Sequence, residues 1–162
     1  MVISDAQKPI KFEINENTMA IVAERRIEGS IYSRVLELDG EVVVPVKPAK
    51  IIDDSCRYFG SSLKGRQEGT KAITGISYKS PIAIDPSSGI YMFPTNSPRC
   101  NHCSWIAHQY ISHYAPSDDG RTSVTFTNGQ SLLLEISFRS FENQLNRTAQ
   151  FRYLLSKRIQ LA

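Results

Sequence analysis

The stretch SIYSRVLELDGEVVVPV, residues 30–46, consists of two runs of strand-forming residues on either side of Asp39-Gly40. Val, Ile, Tyr and Leu dominate both runs, and Asp-Gly is the dipeptide that favours a type I′ turn, so the segment predicts a β-hairpin. Pro45 has no amide to give to a sheet ladder, which places its strand at a sheet edge or ends it there. A second segment repeats the pattern as TSVTFT, Asn128-Gly129 and QSLLLEI, residues 122–136. Here Val124, Phe126, Leu132, Leu134 and Ile136 alternate inward while Ser123, Thr125 and Thr127 face out, the period of a half-buried antiparallel pair. Two local hairpins of this kind make an antiparallel sheet the frame of the fold.

Outward from these anchors, IKFEIN (10–15) and TMAIVAE (18–24) also have strand patterns, as do KAITGISYKSPIAID (71–85) and GIYMFP (89–94), the last two separated by the turn residues PSSG. SWIAHQYISHY (104–114) is apolar on both sides and predicts a long central strand. Pro48 suits the first turn of a helix, where its missing donor costs nothing, and Gly60 can end that helix by adopting positive φ. Between them Ala49, Ile52, Cys56 and Phe59 form an apolar stripe at three- and four-residue steps, backed by the opposite-charge pairs Lys50/Asp54 and Asp53/Arg57. The last segment, 140–162, predicts a longer helix capped by Ser140, with Glu142 in its first turn and basic residues in its last. Phe141, Leu145, Leu154 and Leu155 supply its apolar side. The expected fold class is α+β: a mainly antiparallel β-sheet, a short middle helix and a longer C-terminal helix, in one domain over residues 1–162.

At 162 residues the chain can bury a core without disulfides or metals. Its 41% apolar and 22% charged residues exclude the disordered and fibrous classes. No apolar run approaches the length of a membrane span, and the N-terminal residues lack a secretory pattern, so a cytoplasmic location is expected. Three cysteines, an odd number, suit reduced thiols rather than a disulfide framework. The net charge of +3 is unevenly distributed. Residues 47–79 hold 7 cations against 3 anions and residues 138–162 hold 5 against 1, whereas 1–46 and 80–137 are both acidic. Such imbalances can be ordinary solvated faces; if the two basic segments meet in space, they make a polyanion-binding surface.

The segment DDSCRYFGSSLKGRQEGT, residues 53–70, concentrates the relevant chemistry. Gly60 and Gly65 have the separation of a nucleotide-binding P-loop, but Arg66 and Gln67 stand where Lys and a hydroxyl residue are needed, and a helix rather than a strand precedes Gly60. What remains is a pliable loop in which Ser61, Ser62, Lys64, Arg66 and Lys71 can donate to phosphates, with nucleic-acid backbone as the natural ligand. Asp53 and Asp54 are adjacent on a helix and diverge by about 100°, a poor acid–base dyad. Cys56 lies on the buried stripe and reads as a core residue. Cys100 and Cys103, with His102, His108 and His113 nearby, supply half of a zinc spacing; the other ligands would have to come from a strand that presents His108 and His113 on opposite faces, and the alternative is a turn whose cysteines are free. A redox pair lacks its strand-to-helix context, and a Cys103/His108 hydrolase lacks an oxyanion hole and a third member. The alternatives to polyanion binding are therefore a zinc- or thiol-dependent enzyme and a protein-interaction module with basic faces.

Four motifs add an independent pointer. SCRYFGSSLKGR (55–66), PIAIDPSSGIYMFPT (81–95), VTFTNGQ (124–130) and SFENQLNRT (140–148) together resemble the ComK family of competence transcription factors, over about residues 10–158. The resemblance implies a non-enzymatic activator, with no cofactor and no metal, that binds pairs of A/T-rich boxes in double-stranded DNA, largely through the minor groove. It also implies dimers that assemble into a tetramer, contact with RNA polymerase, and turnover through an adaptor and an ATP-dependent protease. A/T tracts narrow the minor groove and deepen its negative potential, which attracts Arg and Lys. Loops or hairpin tips are expected to enter the groove, with Lys64 and Arg66 inserted and Arg57, Lys71 and Lys79 on phosphates. Arg147, Arg152, Lys157 and Arg158 can extend the track along the last helix.

Overall fold

Residues 30–46 form the predicted hairpin: β2 (Ile31–Glu37) pairs antiparallel with β3 (Gly40–Val44). The computed structural model describes residues 11–160. The turn is one residue earlier than the dipeptide suggests, because Glu37 pairs with Gly40 and leaves Leu38-Asp39 as the loop. Neither Asp39 nor Gly40 takes positive φ, so no type I′ turn forms. Leu38 instead donates its amide to the Asn17 carbonyl at 3.0 Å, a tertiary contact that overrides the local preference. β3 ends just before Pro45 and is a sheet edge, which satisfies both demands of that proline.

β1 (Thr18–Arg25) lies on the other side of β2, followed across the sheet by β6 (Trp105–Ala107), β5 (Ile90–Pro94) and β4 (Ile82–Asp85). The order β3-β2-β1-β6-β5-β4 is antiparallel throughout. A second sheet, β7 (Ile111–Pro116), β8 (Thr122–Phe126) and β9 (Ser131–Leu134), contains the other predicted hairpin. Its turn is a three-residue loop with Gly129 at φ +88, a conformation open to glycine at little cost.

The alternation of β-strand side chains assigns the layers. On one face of the large sheet Ile21, Val35, Met92 and Trp105 pack with Ile51, Ile52 and Cys56 of α1 (Pro48–Tyr58). On the opposite face Ala20, Leu36, Phe93 and Ile106 meet Val124, Phe126 and Leu134 of the second sheet and Phe141 of α3 (Phe138–Gln160). Helix, sheet and sheet are thus stacked in three layers. Phe93 and Phe141 make an edge-to-face pair 5.7 Å apart, closing the join between the large sheet and α3.

Four sequence expectations are corrected. The glycine segment is not a loop: α2 spans Leu63–Thr74, so the extended run predicted from Lys71 begins inside a helix. The 104–114 strand is broken by a short 3₁₀ turn at His108–Tyr110, so β6 belongs to the first sheet and β7 to the second. Its apolar residues on both sides reflect service in two cores. α3 starts earlier than Ser140; the Ser137 hydroxyl accepts the Ser140 amide at 3.2 Å and the Ser137 carbonyl accepts that of Phe141 at 2.9 Å. Residues 11–15 of IKFEIN are not a strand, and Ile10 lies outside the described residues. Among the described residues no helix is long and apolar enough to cross a membrane.

Candidate nucleic-acid interface

α2 forms one wall of a furrow, and its geometry explains the glycines and serines that precede it. Gly60 turns the chain out of α1 at φ +86. Ser62 then caps α2, its Oγ accepting the Gly65 amide at 2.9 Å, while Asp53 reaches across from α1 to accept the Leu63 amide at 2.9 Å. Two donors that a helix start leaves unpaired are thereby satisfied. Gly65 leaves room for the serines before it: a Cβ there would stand 2.7 Å from the Ser61 hydroxyl, which would have to rotate away.

The opposite wall is the segment that returns from α2 to β4. Thr70 donates to the Pro81 carbonyl at 2.6 Å, Gln144 of α3 to the Lys79 carbonyl at 3.0 Å, and Arg147 of α3 to the Tyr78 carbonyl at 2.5 Å. Held from two helices, Lys79 adopts φ +50, the one positive φ of a non-glycine residue among those described. Backbone in that region costs on the order of 1 kcal/mol and persists where surrounding contacts over-determine it. The loop from β5 to β6 closes the third side with Pro98 and Arg99.

The resulting furrow has a volume of about 620 Å³ and presents Lys64, Lys71, Lys79 and Arg99 against a single carboxylate, Glu68. Gln67, Ser77 and Tyr78 add neutral donors. Such a concave, positively lined surface focuses its field on an incoming anion.

The structure separates the predicted residues into three groups. Lys64, Lys71 and Lys79 meet in the furrow. Arg57 is exposed on α1 with its Nε 2.9 Å from Asp53 Oδ2, an exposed pair that raises the Arg57 pKa and lowers that of Asp53, and it does not line the furrow. Ser61 and Ser62 belong to the helix cap, with the Ser62 oxygen already engaged. Arg66 turns inward, its Nη2 donating to the carbonyls of Phe59 at 3.5 Å and Ile84 at 3.4 Å. Arg147 is half-buried against Gln144 Oε1 at 2.6 Å and the Tyr78 carbonyl, and burial lowers its pKa from the ordinary value. Both arginines support the walls rather than line them. The two basic segments touch through apolar residues, Ile73 of α2 with Phe151 and Leu155 of α3, but among the described residues no cation of 138–162 lines the furrow, whose fourth cation, Arg99, comes from the acidic 80–137 region. Arg99 escaped the sequence reading because the regional sum for 80–137 is acidic, which conceals one cation delivered by a loop.

The thiol chemistry has different surroundings. Burial pushes the Cys56 thiol up to about 12 and that of Cys103 to about 11, which suppresses the thiolate a nucleophile needs. Cys103 Sγ donates to the Asn96 carbonyl at 3.3 Å, whereas Cys100 and His102 are exposed. Among the described residues no three His, Cys, Asp or Glu side chains gather as a metal site. His108 lies in the 3₁₀ turn between the sheets, where Arg152 Nη1 is 3.1 Å from its Nδ1. Burial, aided by the Arg152 charge, pushes its pKa down to about 4.

Comparison with known proteins agrees with the motif resemblance. No solved structure gives a significant match. The competence transcription factor of Bacillus subtilis (strain 168) is 44% identical over 148 residues, covering 91% of this chain and 77% of that protein. The ComK protein family matches residues 10–160, which takes in the whole of the fold just described. On a match of that extent, the chain belongs to the ComK family.

Proposed function

We propose that this protein is a DNA-binding activator of competence-gene transcription and that the furrow between α2 and the 76–81 segment holds the sugar-phosphate backbone of its target. The observation that carries the reading is the convergence of Lys64, Lys71, Lys79 and Arg99 on one concave surface with a single opposing carboxylate. A concave surface fits a ridge, and the ridge of a duplex is its phosphate backbone; contacts of this type orient a protein on DNA and supply most of its electrostatic affinity. The 44% identity to a protein named as a competence transcription factor supports the regulatory role. Preference for paired A/T-rich boxes, reading through the minor groove, assembly as dimers and tetramers, contact with RNA polymerase, and adaptor-directed proteolysis belong to the same reading through the family. The narrow minor groove of A/T tracts gives the base preference a physical basis. In this reading Arg66 and Arg147 position the walls while the four furrow cations contact DNA.

The test is equilibrium binding to two duplexes of equal length, one carrying paired A/T boxes and one G/C-rich, at low and physiological salt. Tighter binding to the A/T duplex, weakening with salt for both, is expected. Failure to bind either duplex at low salt defeats the proposal, and equal affinity for the two defeats its A/T selectivity.

A further inference from the structure

A concave furrow can hold a ridge but cannot enter a groove, so groove reading requires a convex element elsewhere on the same face. The β1–β2 hairpin supplies one. β6 pairs with β1 only at Ala20 and Ile21, and β3 follows β2 no further than the Ser33–Val44 pair, yet β1 and β2 stay paired out to Arg25 and Ile31. The ladder of β1 and β2 therefore continues past both neighbouring strands; the Ser104 hydroxyl still accepts the Ala23 amide at 3.0 Å, and the residues beyond form a two-stranded end about 10 Å long at roughly 3.3 Å per residue. That reach matches groove depths of about 7.5–8.5 Å in B-DNA.

The tip is a closed turn that sets one exposed aliphatic side chain among charged ones. Arg26 accepts the Gly29 amide at 2.9 Å through its carbonyl and donates its own amide to Ser30 at 2.8 Å, with Gly29 at φ +96 closing a three-residue loop. The Arg26 guanidinium lies 4.5 Å from the centre of the Tyr32 ring, bracing the two strands. Ile27 occupies the outermost position and is fully exposed, at 107% relative accessibility. A β-branched side chain exposed to water at a hairpin turn serves no core.

The arm also continues the basic furrow. A groove beside Gly29 and Ile31 runs along Lys47 and Lys50 to Asn101, and a further groove joins Asn101 to Arg99, which lines the furrow itself. Of the carboxylates at the tip, Glu24 faces Arg26 at 3.6 Å and Arg34 at 3.9 Å, and Glu28 accepts the Ser30 hydroxyl at 2.6 Å. Exposed Arg25 is the cation best placed to meet phosphate.

We infer that the β1–β2 tip is the part of the protein that enters a DNA groove, with Ile27 as an apolar wedge at a base step and Arg25 on a flanking phosphate. Apolar wedges flanked by cations are a known physical solution for opening base steps from a groove. The inference rests on the DNA-binding reading above.

The test uses the full chain and an A/T-box duplex carrying 2-aminopurine at successive steps, whose fluorescence rises on local unstacking. The wild-type protein is expected to raise the signal at one step. Ile27→Ser is expected to abolish that rise and weaken binding about tenfold or more, from the lost burial of one aliphatic side chain, with the salt slope unchanged. Ile27→Leu keeps the signal. Arg25→Ala keeps the signal and lowers the salt slope by about 0.9. Because Ile27 is fully exposed, all three variants should melt as the wild type does. Wild-type binding with no unstacking signal, or Ile27→Ser with unaltered signal and affinity, overturns the wedge alone; Ile27→Leu losing the signal along with Ile27→Ser overturns it as well. Absence of any duplex binding by the wild type defeats the DNA-binding reading, and this inference with it.

Discussion

Neutralising the furrow tests the proposed interface quantitatively. Its four cations, Lys64, Lys71, Lys79 and Arg99, each release counterions on meeting a phosphate. With a slope of about −0.9 per contact in a plot of log K against log salt, they contribute a slope of about −3.6. Raising salt fourfold, from about 50 to about 200 mM, then weakens binding through this term by about 150-fold. Each single change to Ala should reduce the slope by about 0.9, and the four together should remove nearly all of the furrow's share. Fluorescence anisotropy on an A/T-box duplex reads both slope and affinity. Arg66→Met provides the contrast, because that guanidinium serves the Phe59 and Ile84 carbonyls. It should leave the slope intact while costing about 1–3 kcal/mol of stability, as partners lose a charged donor. A fourfold variant whose slope equals that of the wild type would refute the reasoning, and so would an Arg66→Met slope reduced as much as that of Lys64→Ala.

Two further predictions concern the fold that carries the site. The His108 pKa is pushed down to about 4 in the folded protein against about 6.5 ordinarily, so the unfolded chain binds more protons between these values. Stability should be full above about pH 6.5 and fall as pH drops toward 4; melting temperature against pH should show this, and His108→Gln should flatten it. Ser62→Ala removes the cap of α2 and should cost about 1 kcal/mol in denaturant titration.

Hairpins were legible in the sequence because their determinants are local: alternation between two strands and a turn residue between them. The β2–β3 and β8–β9 pairs and the α1 helix follow from such short-range rules. The failures have equally specific causes. Gly60, Gly65 and Gly69 suggest a loop, since glycine disfavours helix, yet only Gly60 serves as a turn; Ser62 and Asp53 stabilise a helix start that composition hides. The 104–114 run shows continuous apolar character without revealing that its halves enter different cores. At the proposed interface, charge pattern picks out Lys64, Lys71 and Lys79, which the structure brings to one furrow, because lysines on a solvated helix or loop seldom turn inward. It cannot sort Arg66 and Arg147 from them, since an arginine that braces backbone carbonyls and one that awaits phosphate look alike in sequence. Ile27 carries no local signal at all; its exposure follows from where β3 and β6 stop.

The 3₁₀ corner at His108–Tyr110 joins strands of both sheets in one uninterrupted run from Trp105 to Pro116. The chain link adds to the apolar core that Phe93 and Ile106 of one sheet share with Val124, Phe126 and Leu134 of the other, so the two layers should melt together in a single step.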